Sequence, residues 1–335
     1  MSSSFPTLLA AVESAPGSPP LLRADAGGNP VGWAAEHRDA LRAVVAEHGR
    51  VLVRGLGLTE PSVTVSVLRH LAGDRLMSDR EPFAPRRVYA DGVYSASKWP
   101  PNQQMCMHHE MSYSLEFPGL LLYACLEAPA SGGATVVADS PSVLRTLPAE
   151  LTERLEREGW LLTRTYNDEI GASVAEAFGT DDRAAVERYC RGQDIEFAWQ
   201  PDGSLRTRQH RSAVVRHPAD GTRCWFNQIA FLNEWTMEPE VREYLVDVYG
   251  ADGLPFNTRF GNGDPVGEDV VRTINEAYAA HTLREPWQSG DLLLVDNIRT
   301  AHGREPFEGP REVLAALGEP VRLADCSPTG GVRTA

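Results

Sequence analysis

The sequence predicts a mainly β fold with helical insertions, in the form of a β-barrel or jelly roll. Short apolar and β-branched runs recur along the chain, while helical patterns are gathered between them and do not alternate regularly with the strands. Turn signals such as Pro-Asp-Gly at 201–203 and Ala-Asp-Gly at 219–221 separate several of the short runs. The sequence lacks the G-x-G-x-x-G, Walker A and G-x-S-x-G motifs of other common enzyme folds.

Each element is predicted from its local pattern. Helical signals cover residues 33–48, which Gly49 ends, and residues 61–72, 141–157, 181–191, 238–249 and 267–282. Strand-like runs cover residues 50–56, 102–113, 119–126, 134–139, 160–166, 205–209, 213–217, 223–228, 287–296 and 313–317. Residues 82–101, with their prolines and a Trp-Pro pair, are predicted to form a loop.

The 335 residues suffice for one large domain or two small ones, and we interpret residues 31–325 as a single domain. A helical, lid-like insertion is predicted over about 141–285. The Ser-, Pro- and Gly-rich residues 1–30 are expected to be loosely ordered, and the tail 326–335 to be frayed. Residues 82–101 and 167–212 are expected to act as lids, since they flank the motifs described below.

Composition excludes several classes of function. The formal net charge of −14 and the sequence pI near 5.1 argue against a nucleic-acid or anionic-membrane partner. No apolar run is long enough to span a membrane, and the N-terminal residues do not resemble a signal peptide. The five cysteines are scattered and form no C-x-x-C motif, so we expect a reduced, cytoplasmic setting.

An H-x-E pair, His108 and Glu110, lies in the segment 102–113. On an extended strand these residues point to the same face, so an imidazole and a carboxylate are presented together. Two histidines and one carboxylate are the ligand set of non-haem Fe(II) oxygenases. His302, which follows a strong apolar run and precedes Gly303, is expected to supply the second imidazole from the end of a strand. A zinc hydrolase would also use an H-x-E pair.

Two further elements suit a carboxylate-bearing co-substrate. An oxygenase that uses 2-oxoglutarate needs a guanidinium group for the distal carboxylate, because arginine binds carboxylates through two parallel hydrogen bonds. Arg311 stands at the start of the last core strand. The segment Ser-Gly-Gly-Ala-Thr, residues 131–135, is the other element. Neither element has a role in a zinc hydrolase.

Together, Met-His-His-Glu-Met-Ser-Tyr, Gly-Gly-Ala-Thr, Trp-Phe-Asn-Gln and Asp-Asn-x4-His-Gly-Arg-x-Pro-Phe-x-Gly-x-Arg resemble the TauD/TfdA family of Fe(II)/2-oxoglutarate-dependent dioxygenases. The resemblance runs from about Arg50 to Leu317 and is strongest to the SyrP-like branch, which modifies amino acids in natural-product pathways. It implies a distorted double-stranded β-helix (jelly roll). It also implies that His108, Glu110 and His302 bind Fe(II), and that Thr135 and Arg311 hold 2-oxoglutarate.

Two departures from the family pattern leave alternatives open. His109 stands where this branch often has Asn, so it competes with His108 as a ligand, although only His108 has the H-x-E spacing. The run from His302 to Arg311 is short, so Arg304 competes with Arg311 for the co-substrate. We favour Arg311, because it opens a strand whose alternation can aim the side chain inward.

Candidate substrate contacts come from several segments. Asn102 and Gln104 precede the metal-binding strand, and Arg208 shares a strand face with Arg206. These arginines could equally be solvated, and the segment 225–228 with Asn227 could equally be an ordinary core strand. Arg304 is a further candidate. The five residues considered as substrate contacts are Asn102, Gln104, Arg208, Asn227 and Arg304.

The resemblance implies an O2-dependent oxidation of an unactivated C–H bond, most simply a hydroxylation, in antibiotic-type biosynthesis. Desaturation, epoxidation and cyclisation use the same cofactors and stay open, as does a non-catalytic binding protein on the same scaffold. Related halogenases lack the carboxylate ligand, so Glu110 argues against halogenation. The expected substrate is an amino acid or derivative, free or tethered to a carrier protein. The acidic composition favours a free substrate, and a homo-oligomer is compatible with the sequence.

Overall fold

The jelly roll consists mainly of two sheets whose strands are mostly antiparallel, and the smaller sheet carries His108 and His302. The computed structural model describes residues 11–73, 75–79, 81–84 and 86–327. A seven-stranded sheet has the strand order β1-β2-β16-β6-β19-β4-β3, and a four-stranded sheet has the order β15-β8-β17-β5. The strands of these two sheets are β1 Leu21–Arg23, β2 Arg50–Leu58, β3 Val88–Ala90, β4 Val93–Ser95, β5 Met105–His108, β6 Glu116–Glu127, β8 Thr135–Asp139, β15 Thr282–Leu283, β16 Gly290–Asp296, β17 Thr300–Arg304 and β19 Glu312–Arg322.

Strand β6 shows how alternation divides the core. Its odd-numbered residues Leu121, Tyr123 and Cys125 face one apolar cluster, which also contains residues of the four-stranded sheet. Its even-numbered residues, such as Leu122 and Ala124, face a second cluster. Because successive side chains of a strand point to opposite faces, one strand of continuous apolar residues serves both clusters.

Two N-terminal helices cover the outer face of the seven-stranded sheet. Helix α1 (Pro30–His48) begins with a proline in its first turn and ends at Gly49, whose φ of +74° is a left-handed conformation that favours glycine. Helix α2 (Pro61–Ala72) packs beside it, and both contribute to the second cluster. The predicted helices 33–48 and 61–72 are therefore confirmed.

The segment between β8 and β15 forms an insertion with its own four-stranded antiparallel sheet, in the order β10-β11-β9-β14. It was predicted to be a helical, lid-like insertion with four strand-like runs, and it contains six strands beside its helices. Its helices are α3 Ser140–Thr146, α4 Ala149–Glu158, α5 Val174–Phe178, α6 Arg183–Gly192, α7 Pro239–Tyr249 and α8 Glu268–Ala280. Its strands are β9 Trp160–Tyr166, β10 Ile195–Trp199, β11 Leu205–Arg211, β12 Val214–Arg216, β13 Arg223–Trp225 and β14 Phe256–Phe260. A small apolar cluster lies between β9, β11 and helices α5 and α6.

Three local predictions need correction. The predicted loop 82–101 contains the β3–β4 hairpin, whose turn is Asp91-Gly92 with Gly92 at φ +73°. Strand β5 ends at His108, so Glu110 lies in a turn beyond it and does not share the strand. His302 lies inside strand β17 and not beyond the end of a strand.

The termini are described only in part. Residues 1–10 and 328–335 lie outside the described residues, so the predicted frayed tail falls almost entirely outside them. Within the N-terminal segment predicted to be loose, β1 pairs in parallel with β2.

The short strands β7 (Ser131–Gly132) and β18 (Phe307–Glu308) pair with each other. None of the described helices is both long and apolar enough to cross a membrane.

Candidate metal centre and co-substrate cavity

Pairing of strands β17 and β5 brings the two histidines together. His302 and His108 are directly opposed in the antiparallel ladder, and their ring centroids lie 4.3 Å apart. Gly303 allows this close approach, since a Cβ at that position would lie 2.7 Å from the carbonyl oxygen of Met105. One ligand atom from each of His108, Glu110 and His302 lies within 4.8 Å of the others, and all three residues are buried.

A turn, and not a strand, aims Glu110 at this cluster. Met111, which follows it, has a φ of +54°, a conformation that is strained for a residue with a side chain. Asn297 supports this turn: its Oδ1 accepts from the Glu110 amide at 2.9 Å and its Nδ2 donates to the Glu110 carbonyl at 2.9 Å. The Glu110 Oε2 atom then lies 3.6 Å from His302 Nε2.

His108 is held in the tautomer that a metal ligand needs. Its Nδ1 lies 2.9 Å from the carbonyl oxygen of Cys106, which can only accept, so Nδ1 carries the proton and Nε2 keeps its lone pair. Burial, reinforced by His302, lowers the pKa of His108 to about 3. The ring is therefore neutral at neutral pH.

The Glu110 carboxylate is held in its charged form. Burial alone would raise its pKa, but Arg86 and the histidines outweigh burial and lower the pKa of Glu110 well below its usual range. Arg86 Nη2 donates to Glu110 Oε1 at 2.9 Å. A charged carboxylate with two imidazoles, all buried, is a donor set that suits Fe(II).

His109 has a structural role. Its Nδ1 donates to the carbonyl oxygen of Asn297 at 2.5 Å, and its Nε2 lies 2.8 Å from Ser140 Oγ. Because the Asn297 carbonyl only accepts, Nδ1 carries the proton, and the Nε2 lone pair shares the single hydrogen of the Ser140 hydroxyl with the Trp225 carbonyl, which lies 2.9 Å from Ser140 Oγ. Burial lowers the pKa of His109 to about 3. Both ring nitrogens are used within the protein, so the geometry favours His108 in the cluster.

A cavity beside the cluster is lined by Thr135 and Arg311 together with His108, Glu110 and His302. Arg311 Nε donates to the Gly133 carbonyl at 2.9 Å, and its Nη2 lies 3.4 Å from Thr135 Oγ1. Gly133 has a φ of +68°, and a Cβ there would come 2.8 Å from Pro129 Cγ, 2.9 Å from Phe307 Cβ and 3.2 Å from Arg311 Cδ, so glycine makes room for all three neighbours.

Arg311 is a buried cation that none of the described carboxylates neutralises through an ion pair. Burial, together with the nearby Arg304, lowers the pKa of Arg311 to about 10. A charged group in this position is costly unless an anion pairs with it. The charge of Arg311 therefore suits a ligand that places a carboxylate at this end of the cavity.

Arg304 lines the same cavity, but its side chain is occupied. Its Nη1 and Nη2 donate to the carbonyl oxygens of Trp99, Pro100 and Gln103 at 3.1, 2.7 and 2.6 Å. These bonds tie the end of the 82–101 segment to strand β17. The geometry thus favours Arg311 over Arg304 as the carboxylate-binding residue.

The other candidate substrate contacts lie outside this cavity. Asn102 and Gln104 line a separate cleft of about 880 Å³ beside strand β5. Arg208 is exposed on strand β11, where it lines a surface depression with Arg206. Asn227 is buried and bonded to the backbone, since its Nδ2 donates to the Ala213 carbonyl and its Oδ1 accepts from the Ile229 amide.

Sequence reasoning did not identify three residues of the site, Arg86, Tyr123 and Asn297. Arg86 and Tyr123 line the cavity, and Asn297 supports the Glu110 turn. Asn297 belongs to the Asp-Asn-x4-His motif, which could have suggested a role for it. The alternation of β6 places Tyr123 on the face that packs towards the four-stranded sheet, so sequence could have suggested it. Arg86 belongs to none of the sequence motifs.

Aromatic side chains close one side of the cluster. The Phe231 ring stacks on His108 with centroids 4.4 Å apart, and Phe83 meets Phe231 edge-on at 4.8 Å. Trp99 packs on Phe231 at 5.6 Å. Phe83 and Trp99 stand near the two ends of the predicted lid 82–101, so this segment covers the His108 side of the cluster.

Comparisons with known proteins agree with this geometry. The family model "Taurine catabolism dioxygenase TauD, TfdA family" matches residues 15–317. The dapdiamide synthesis protein DdaC of Enterobacter agglomerans is 34% identical over 278 residues, which cover 83% of this chain and 84% of that protein. A clavaminate synthase-like protein of Arabidopsis thaliana is 28% identical over 292 residues, 83% of each chain.

Solved structures show the same fold at lower identity. The PvcB protein of Pseudomonas aeruginosa superposes with a TM-score of 0.52 at 16% identity, covering 92% of this chain and 89% of that chain. A taurine dioxygenase from Burkholderia xenovorans gives a TM-score of 0.51 at 15% identity, covering 94% and 92%. The chain therefore belongs to the TauD/TfdA family and is an Fe(II)/2-oxoglutarate-dependent dioxygenase.

Proposed function

We propose that His108, Glu110 and His302 bind Fe(II) and that Arg311 and Thr135 hold 2-oxoglutarate. One observation carries this proposal: the only described His/Cys/Asp/Glu cluster with metal-ligand spacing opens into the cavity that also contains Arg311, a buried cation without a carboxylate partner. A dianionic 2-oxoacid would meet the metal at one end and the guanidinium at the other.

The protein's own groups prepare this reaction, while iron, 2-oxoglutarate and O2 together supply the oxidising power. Arg311 fixes the distal end of the co-substrate, and Thr135 offers its hydroxyl to a carboxylate. The Cys106 carbonyl keeps the His108 Nε2 lone pair available. Phe83, Trp99 and Phe231 shield the cluster from water, which limits side reactions.

We further propose that the enzyme hydroxylates an unactivated C–H bond of an amino acid or amino-acid derivative in natural-product biosynthesis. The relative named for dapdiamide synthesis supports this substrate class. Glu110 occupies the position that a halide would need, which favours hydroxylation over halogenation. The 880 Å³ cleft beside β5 is large enough for such a substrate. Asn102 and Gln104 on its wall offer amide hydrogen bonds, and Trp99, which also lines it, packs on the Phe231 ring that stacks on His108.

An anaerobic optical titration tests the cofactor assignment. Addition of Fe(II) and then 2-oxoglutarate to the purified protein should produce the weak visible charge-transfer band of an iron-chelated 2-oxoacid. His302→Ala should abolish the band, and Arg311→Ala should weaken it. His281→Ala serves as a matched control, because His281 bonds to Thr146 outside the cavity. A folded, metal-loaded wild-type protein without the band would contradict the assignment.

A substrate screen tests the reaction. Free amino acids, their derivatives and carrier-tethered forms are compared by succinate release and by product mass. A gain of one oxygen atom indicates hydroxylation, and a loss of two hydrogen atoms indicates desaturation. A chlorinated product formed in the presence of chloride would contradict the role given to Glu110.

A further inference from the structure

Arg86 connects the segment before the β3–β4 hairpin to the metal cluster. Its Nη2 donates to Glu110 Oε1 at 2.9 Å, and its Nε lies 3.2 Å from Asp79 Oδ2. The side chains of Arg86, Asp79 and Glu110 are 7%, 7% and 5% exposed, so this three-residue group is almost dry. The ion pair with Asp79 and the hydrogen bond to Glu110 thus hold the planar guanidinium between two buried carboxylates.

This arrangement gives the two oxygens of Glu110 different environments. Oε1 accepts from Arg86, whereas Oε2 faces His302 Nε2 at 3.6 Å. The hydrogen bond to Oε1 thereby fixes the plane of the carboxylate and leaves Oε2 to point into the cluster. Partners that orient metal ligands in this way commonly change metal affinity about 10- to 100-fold when they are removed.

We infer that Arg86, itself oriented by Asp79, is the positioning residue that holds Glu110 for binding of iron through Oε2. This inference rests on the proposed function, because it takes Glu110 as an iron ligand. Arg86 comes from a segment that neither the H-x-E motif nor the late histidine motif includes. The metal site is therefore completed by the segment that also carries Phe83 over His108.

Positioning must be separated from simple electrostatics. Removal of Arg86 alone would leave two buried carboxylates near the metal, and the extra negative charge would by itself attract a cation. Two variants keep the net charge and lose the geometry. Arg86→Lys keeps the positive charge without the planar fork, and Arg86→Gln combined with Asp79→Asn removes one charge of each sign.

The experiment measures anaerobic Fe(II) and Co(II) dissociation constants, together with the visible Co(II) spectrum, which reports the ligand field independently of turnover. We expect both charge-preserving variants to bind metal at least about tenfold more weakly than wild type and to show an altered Co(II) spectrum. The matched control is Arg54→Gln combined with Asp291→Asn, which removes another buried Arg–Asp pair that does not line the cavity. It should leave metal affinity and spectrum unchanged.

Wild-type affinity and an unchanged spectrum in both variants would overturn the inference while leaving the proposed function intact. An equal loss of metal affinity in the control pair would also overturn it, since the effect would then reflect general destabilisation. Melting curves of the metal-free proteins accompany each titration and identify variants that fail to fold. A wild-type protein that binds neither metal would contradict the proposed function itself.

Discussion

The adjacent histidines His108 and His109 differ in their hydrogen-bond partners. His108 keeps one ring nitrogen available in the cavity, whereas His109 uses both within the core. Sequence spacing favours His108, but only the contacts of His109 with Asn297 and Ser140 explain why a second histidine stands beside it. The pair therefore allows metal binding and stability to be separated experimentally.

We expect His108→Ala to abolish metal binding with little loss of stability. His109→Ala should retain metal binding at low temperature but lose about 3 kcal/mol of stability, because it leaves a cavity and removes the donor to the buried Asn297 carbonyl. Urea denaturation and Co(II) titration of both variants measure the two effects. Loss of metal binding in a folded His109→Ala protein, with binding retained in His108→Ala, would reverse the assignment.

The two arginines of the cavity also differ in their contacts, and we expect different effects when each is replaced. Arg311→Met should weaken 2-oxoglutarate binding by about 100-fold or more, since the buried carboxylate would lose its charge partner. The metal-free variant should be at least as stable as wild type, because burial of the unpaired charge, seen in its lowered pKa, disfavours the folded state. Isothermal titration with Mn(II)-loaded protein and thermal melting give both quantities.

Arg304→Met serves as the comparison for Arg311→Met. It should destabilise the protein by about 2–3 kcal/mol, because the carbonyls of Trp99, Pro100 and Gln103 would lose their donor. A folded Arg304→Met protein should still bind 2-oxoglutarate. The opposite pattern, with Arg304 essential for binding and Arg311 dispensable, would exchange the two roles.

At the scale of elements, Glu81 anchors the segment that carries Phe83 and Arg86. Its carboxylate accepts from the Tyr189 hydroxyl at 2.9 Å and from Gln209 Nε2 at 3.2 Å, both in the insertion. Its carbonyl accepts from Arg164 Nη1 at 2.6 Å. Glu81 is 1% exposed and has a φ of +52°, so its conformation depends on these contacts.

Loosening this anchor should therefore increase the mobility of the segment around residues 75–99. We expect Tyr189→Phe to raise hydrogen exchange there by about fivefold or more, which corresponds to about 1 kcal/mol of local stability. Tyr249→Phe is the matched control, because Tyr249 makes a similar bond to Glu169 on the surface. Equal exchange in both variants would show that Glu81 does not anchor this segment.

At the scale of the whole molecule, local patterns predicted most elements but not their partners. Helices α1 and α2 and strands β2, β6 and β16 follow from periodicity and end signals. The ligand candidates follow from the family motifs. Arg86 and Glu81 could not be identified in this way, because their importance comes from contacts 24 and 108 residues away, with Glu110 and Tyr189. Within the insertion, β9, β11, β12 and β13 lie in runs that were predicted as strands, whereas β10 and β14 were not predicted.

The two sheets contribute different parts of the site. The proposed metal ligands come from β5, the turn after it and β17, whereas Arg311 directly precedes β19 of the seven-stranded sheet. Metal alone would therefore bridge residues around the four-stranded sheet. A 2-oxoacid chelated to that metal and paired with Arg311 would connect the two sheets.

This division predicts a stepwise stabilisation by ligands. Each ligand present at about 100 times its dissociation constant should add about 2.7 kcal/mol to the free energy of unfolding. Mn(II), which supports binding without turnover, should raise the melting temperature by several degrees, and 2-oxoglutarate should raise it again. In Arg311→Met the first increase should persist and the second should disappear. If 2-oxoglutarate stabilised Arg311→Met as much as wild type, the co-substrate would not bridge the sheets through this arginine.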